Sequence, residues 1–312
     1  MSTIGFDTSN YTTSTAWTDG KTDINVRQIL YVKDGERGIR QSDGVFQHMK
    51  LMPVMYEKLS EQIDFKDVKA VGVSTRPRCV EGSYMPVFLA GEGYAKVVAN
   101  TLGVPLYEFS HQDGHIMAGI YSSGSFELLE NDFISVHLSG GTTEILKSRY
   151  NGFYFDNEII GGSKDISAGQ FIDRVGVKMG LHFPAGKALE QLALKTEKGE
   201  KLPIAVDGAY MNFSGVETKA SRMAESGKCD KSALALGVLE NVRDTLVKTI
   251  NKAMTDTNTH RVLIVGGVAS NGIIRNGLTK NLTVMCISQK RNIQPNNAVG
   301  TAYLAHLAHK EA

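Results

Sequence analysis

Residues 111–115 read HQDGH. Side chains four apart share one face of a helix, so His111 and His115 can offer two imidazole nitrogens to one divalent metal ion; surface and capping roles are the competing reading at this spacing. Ser110, with Asp113 three residues later, has the pattern of a helix N-cap with a reciprocal capping box. That starts a helix at the histidine pair and gives Asp113 a capping role. A catalytic metal also needs a third ligand beyond two imidazoles.

A second stretch, LSGGTTE, sets Ser139, Gly140, Gly141 and Thr142 between two apolar strands. Backbone N–H groups at two glycines can approach a phosphate or carboxylate closely, with hydroxyls adding donors; a plain hairpin turn is the alternative. The opening TIGFDTSNYTTSTAW has the same strand-turn-strand shape around Asp7, Thr8 and Ser9, and the repetition favours a pair of phosphate-type hairpins. In VLIVGGVASNGIIRNGL, Gly266 and Gly267 close a buried strand ahead of a helix that begins near Ser270 and Asn271, a junction suited to a nucleotide. The GxGxxG spacing and its acidic follower are missing, which excludes hydride transfer from a dinucleotide. No set of nucleophile, base and orienting acid supports a peptidase.

These residues need a scaffold of alternating strands and helices. The pattern predicts strands at 68–74 and in VPLYEFS, helices over 84–102, 167–180, 186–197 and 232–256, a glycine-bounded strand within 261–272, and a closing helix over 297–310. Leu239, Val242, Leu246 and Ile250 form a helical stripe that reads as core. The order implies an α/β protein of two related lobes, 1–125 and 126–312, joined near 120–132 and holding a ligand cleft, with the closing helix returning to the first lobe. With 34 basic and 33 acidic residues the net charge is +1, so a nucleic-acid partner would need a local basic patch. Cys79, Cys229 and Cys286 are far apart, which fits a reducing compartment. The first residues lack a signal-peptide pattern and no run reaches the roughly 18 apolar residues of a membrane span. The expectation is a cytoplasmic protein with no membrane partner.

Taken together, HQDGH, LSGGTTE, SAGQFIDRVGVKMGL, FPAGKALEQLA, NFSGVETKA, GGVASN and PNNAVGTAYLA resemble, along essentially the full chain, the TsaD family of tRNA threonylcarbamoyl transferases, formerly labelled glycoproteases. The resemblance implies an actin-like ATPase fold, of the sugar-kinase, Hsp70 and actin type, duplicated into two lobes around a central nucleotide and metal cleft. It implies that His111 and His115 are metal ligands, with Asn296 where the family has an aspartate. It makes Asp7 and Ser9 catalytic, sets His137, Leu138, Ser139, Gly140 and Gly141 against the phosphate and carbamoyl end of the donor, and gives Asp173, Gly186, Gly266, Gly267 and Asn271 to the nucleotide. The implied cofactors are iron or zinc, magnesium with nucleotide, and ATP, ADP, AMP or an acyl-adenylate. The implied reaction moves a threonylcarbamoyl or carbamoyl group to an amine, N6 of an anticodon-loop adenosine in tRNA. The implied partners are a small paralogous subunit, a small ATPase and tRNA, with a homo- or heterodimer as the assembly.

The chain departs from the family at several places. Tyr11 and Thr12 replace acidic residues, Thr142 replaces a histidine, and Gln170 replaces an acid. A glycine-rich turn has become RPRC, so Arg76 and Arg78 are either solvated loop residues or an anion clamp for a carboxylate or phosphate. The departures keep three other readings in play: a nucleotide-binding scaffold or sensor, a carbamoyltransferase with a non-tRNA acceptor, and a sugar or acetate kinase with Asp173 as base.

Overall fold

The first strand, β1 (Ser2–Asp7), is buried along its whole length and turns back antiparallel into β2 (Thr12–Thr18), with Thr3 opposite Thr18 and Asp7 opposite Ser14. β3 (Asp23–Ile29) adds an edge strand. Helix α1 (Gln41–Ser60) leads to β4 (Val68–Arg76), which runs parallel to β1; α2 (Phe88–Leu102) leads to β5 (Leu106–Ser110), parallel to β4. The sheet order is β3-β2-β1-β4-β5, so β1 and β4 are interior strands. Ile4, Phe6, Val71 and Val73 pack there with Met52 and Leu59 of α1 and Ala95 and Ala99 of α2. α3 (His111–Ser123) follows β5 directly. The structure, a computed structural model, describes every residue except Asn10, 33–38, 283–285, 288–296 and Ala312, and only the backbone of Cys286 and Ile287.

The second sheet starts with the hairpin β6 (Phe133–Leu138) and β7 (Thr143–Tyr150), followed by β8 (Phe155–Ser163), α4 (Ala168–Lys178) and α5 (Gly186–Ala193). Two short strands, β9 (Val206–Asp207) and β10 (Tyr210–Met211), precede α6 (Ser214–Ser226) and the long α7 (Lys231–Thr257). β11 (Val262–Val265), α8 (Gly272–Asn281) and β12 (Cys286–Ile287) complete a sheet of order β12-β11-β6-β7-β8-β10-β9. Leu239, Val242, Leu246 and Ile250 of α7 are fully buried, as their helical spacing predicts.

The final helix, α9 (Asn297–Glu311), lies against β1 and β4. Glycines permit that approach: a Cβ on Gly5 would overlap the carbonyl oxygen of Ala298, and one on Gly72 would stand 2.6 Å from that of Thr301. On its other side α9 meets α3, where a Cβ on Gly300 would overlap the carbonyl oxygen of Gly114. The chain therefore forms two compact units. One holds the residues through Phe126, the turn Tyr150–Asp156 and α9; the other holds Glu127–Arg149 and Asn157–Arg291. No helix among the described residues is long and apolar enough to cross a membrane.

Some expected boundaries move. The strand expected within 261–272 stops at Val265, because Gly266 turns to φ +107° and a Cβ there would overlap the carbonyl oxygen of Leu138, a position that admits no side chain. The helix expected from 84 begins at Phe88, since Pro86 disfavours helical backbone at Met85. The helix expected over 186–197 ends at Ala193. α1 buries a stripe at His48, Met52, Met55 and Leu59, which the interior Pro53 and the exposed Phe46, Met49 and Val54 obscure in the sequence.

Candidate active site

Ser110 caps α3 as its spacing predicts. Its hydroxyl accepts from the Asp113 N–H at 3.1 Å, and the Asp113 carboxylate accepts from the Ser110 N–H at 3.0 Å and from the Phe155 N–H at 3.1 Å. Burial pushes the Asp113 carboxyl upward, against the hydrogen bonds from Ser110 and Phe155 and the nearby charge of Arg76. With Asp113 occupied in this way, the first turns of α3 present His111 and His115 together, ring centroids 4.3 Å apart.

The end of β1 brings a carboxylate to the pair. Asp7, 1% exposed, has Oδ1 3.2 Å from His111 Nδ1, and its Oδ2 accepts from the Ser9 hydroxyl at 2.7 Å. Burial alone would raise the Asp7 pKa; the charge and hydrogen bond of His111, with hydrogen bonds from Ser9 and Ser74, outweigh it and hold the carboxyl below its ordinary range. Thr8, between them, fastens the hairpin to α2, accepting from the Gly91 N–H at 3.0 Å and donating to the Val87 carbonyl at 2.8 Å.

The fourth member is one the sequence reading missed. Asn297, the first residue of α9, places Nδ2 2.8 Å from His111 Nδ1, 3.1 Å from His111 Nε2, 3.3 Å from His115 Nε2 and 3.3 Å from Asp7 Oδ2. Asn296, the expected third ligand, lies outside the described residues. The only signal for Asn297 was its position in PNNA, next to the residue chosen. Among the described residues no three His, Cys, Asp or Glu side chains form a metal-holding group. The donor chemistry nonetheless fits a divalent cation: two imidazoles, an ionised carboxylate behind one of them, and an amide whose buried Oδ1 has no hydrogen-bond partner among the described residues.

The remaining expected residues, other than the arginines, lie in the second unit, where contacts link them into a ring. Leu138 at the end of β6 touches Gly266 at the end of β11. In the hairpin tip, Thr142 N–H donates to Ser139 Oγ at 3.0 Å, and the Gly140 carbonyl accepts from Ser167 Oγ at 2.8 Å, joining the tip to the start of α4. Asp173 on α4 accepts from the Ala185 N–H at 2.7 Å and also from the Gly186 N–H, at the start of α5. Burial raises the Asp173 pKa against those two bonds. Glu190 on α5 accepts from the Gly272 N–H at 2.6 Å, and Asn271 caps α8, its side chain accepting from Ile273 and Ile274. Among the described residues, none beyond their chain neighbours comes within 4 Å of the point where a Cβ would stand on Gly140, Gly141 or Gly267, so that side of the ring is uncrowded by them. His137 is opposite Glu144 in the β6–β7 pair.

Gln170 completes the capping box of α4, its Oε1 accepting from the Ser167 N–H at 3.1 Å. Arg76 and Arg78 are half-buried beside the start of α3, where the Gln112 N–H donates to the Pro77 carbonyl at 3.1 Å. The Arg76 guanidinium donates to the Thr75 hydroxyl at 3.1 Å and to the Cys79 thiol at 3.7 Å.

Solved structures that share this fold are actin-like ATPase-fold proteins. Full-length HypF in its phosphate- and nucleotide-bound form matches with a TM-score of 0.62 at 15% identity, over 99% of this chain and 55% of HypF. A ROK family glucokinase from Streptomyces griseus matches with a TM-score of 0.56 at 12% identity, over 99% of this chain and 100% of the glucokinase. The fold is that of the actin-like ATPases.

Sequence comparison then narrows the class. The TsaD family profile, tRNA N6-adenosine threonylcarbamoyltransferase, matches residues 37–298. A tRNA N6-adenosine threonylcarbamoyltransferase of Thermus thermophilus is 32% identical over 87% of this chain and 82% of its own, and that of Archaeoglobus fulgidus is 26% identical over 92% and 82%. This chain belongs to the TsaD family.

Proposed function

We propose that the protein transfers a threonylcarbamoyl group from an adenylate donor to N6 of an adenosine in tRNA. The observation that carries this reading is the convergence of His111, His115, Asp7 and Asn297 in a chain of this family. In the reaction the acceptor nitrogen attacks the carbamoyl carbonyl carbon, the bond from that carbon to the phosphate oxygen breaks, AMP leaves with the electron pair, and the amine proton passes to solvent.

His111 and His115 would hold an iron or zinc ion, and a cation held there supplies Lewis acidity toward the donor's oxygen. Asp7, against His111 Nδ1, would orient that ring toward the cation; Ser9 fixes the carboxylate by hydrogen bonding. In the second unit, the ring from Leu138 and Gly266 through Asp173 and Asn271 supports binding of the adenine nucleotide. There Gly140 and Gly141 admit phosphate close to the backbone, with magnesium accompanying it. The half-buried arginines Arg76 and Arg78 serve as a clamp for the donor's carboxylate or phosphate. A smaller paralogous subunit and a small ATPase are the proposed partners, and the cytoplasm the proposed compartment.

Transfer of labelled threonylcarbamoyl-adenylate to unmodified tRNA tests the reading, with the two partners present. Labelled tRNA is expected. Absence of label, with adenine nucleotide still bound, would replace the transferase with a nucleotide-binding scaffold.

A further inference from the structure

Asn297 is 8% exposed, and its two amide atoms have opposite fates. Oδ1 is buried with no hydrogen-bond partner among the described residues, an unfavourable position for a carbonyl oxygen. Nδ2 stands where the ring nitrogens converge, 2.8 Å from His111 Nδ1, 3.1 Å from His111 Nε2 and 3.3 Å from His115 Nε2. The amide nitrogen thus lies against the edge of His111 that carries both ring nitrogens while also reaching His115. It would turn its hydrogens toward the space that a cation shared by the two imidazoles would fill.

We infer that Asn297 itself is the third ligand of the cation site, by reversal of its amide. A half-turn about the Cβ–Cγ bond carries Nδ2 away and brings Oδ1 to the same point. The oxygen that lacks a donor becomes a neutral oxygen ligand beside two imidazoles. The inference rests on the proposed cation site and adds a residue that the sequence pattern passes over in favour of Asn296. It also carries a selectivity: a set with two nitrogens and one uncharged oxygen suits zinc, cobalt or iron(II) better than magnesium, which prefers carboxylate and water oxygens.

The test is titration of the metal-free full chain with cobalt(II), followed by its visible absorption, for wild type, His115→Ala, Asn297→Ala, Asn297→Asp and Asn296→Ala. Asn297→Ala is expected to weaken cobalt binding by at least about tenfold and Asn297→Asp to strengthen it by a similar factor, the scale on which metal-site partners act. Asn296→Ala is expected to leave it unchanged. A purely structural role would make both Asn297 substitutions harmful, and the Asp variant remains decisive if the Ala variant does not fold. Binding that His115→Ala abolishes but both Asn297 variants retain at wild-type strength overturns this inference alone. Absence of His115-dependent binding in wild type overturns the cation site with it.

Discussion

At the scale of single residues, the site depends on how Asp7 orients its neighbour. Asp7, its carboxyl held below the ordinary range, is buried against His111 and fixes that ring beside Asn297. Asp7→Asn keeps the shape of that contact but removes the charge and one acceptor oxygen. It should lower divalent-metal affinity roughly tenfold to a hundredfold while the protein stays folded, as equilibrium dialysis with zinc and far-UV circular dichroism would report. Zinc affinity equal to wild type would remove Asp7 from its orienting role. Asp165 has a structural part: its carboxylate accepts from the N–H groups of Ile166, Phe213 and Ser214 and from the Ser214 hydroxyl, which holds its pKa down to about 2 although burial opposes the shift.

At the scale of elements, Asp165 anchors the start of α6, and its loss should cost about 1 kcal/mol, typical of a side-chain acceptor removed from a helix start. The folded-state pKa is below the ordinary 3.8, so this stabilisation is present above that value and lost as pH falls toward about 2. Urea midpoints of wild type and Asp165→Ala should therefore differ steadily above about pH 4, by the ordinary carboxylate range, and converge as the pH approaches 2. A gap that stays constant into acid would contradict the assignment. The placement of Asn297 is also an element-scale matter, because α9 approaches α3 only through Gly114 and Gly300. Gly300→Ala should destabilise the chain by about 1–3 kcal/mol, as overpacking does, and weaken metal binding by moving Asn297 from the histidines. Unaltered cobalt affinity in a destabilised variant would separate α9 packing from the site.

At the scale of the whole molecule, the metal candidate belongs to one compact unit and the nucleotide ring to the other. Each should therefore keep its ligand when the other is impaired. ADP at a hundredfold excess over its dissociation constant adds about 2.7 kcal/mol to the state that binds it. That thermal shift should appear in wild type and His115→Ala alike, and loss of the shift in the histidine variant would show that the two sites act as one. With a net charge of +1, tRNA binding by the isolated chain without a local basic patch should be weak and nearly independent of salt. A steep salt dependence in a filter-binding assay would instead reveal a concentrated basic surface.

What was legible in the sequence was local chemistry. The Ser110–Asp113 box, the HxxxH spacing, both hairpins and the stripe on α7 follow from interactions between near neighbours, which spacing and propensity encode directly. α1 was not legible, because its interior proline and exposed apolar residues blur the helical period. Nor were the partners of the site. Asp7, His111 and Asn297 are separated by 104 and 186 positions, and only the close approach of α9 to α3 and β1 chooses Asn297 for the histidines. Sequence alone determined that a histidine pair would start a helix. Tertiary structure decided that it would face Asp7 and Asn297, because glycine-permitted backbone contact is a property of packed elements.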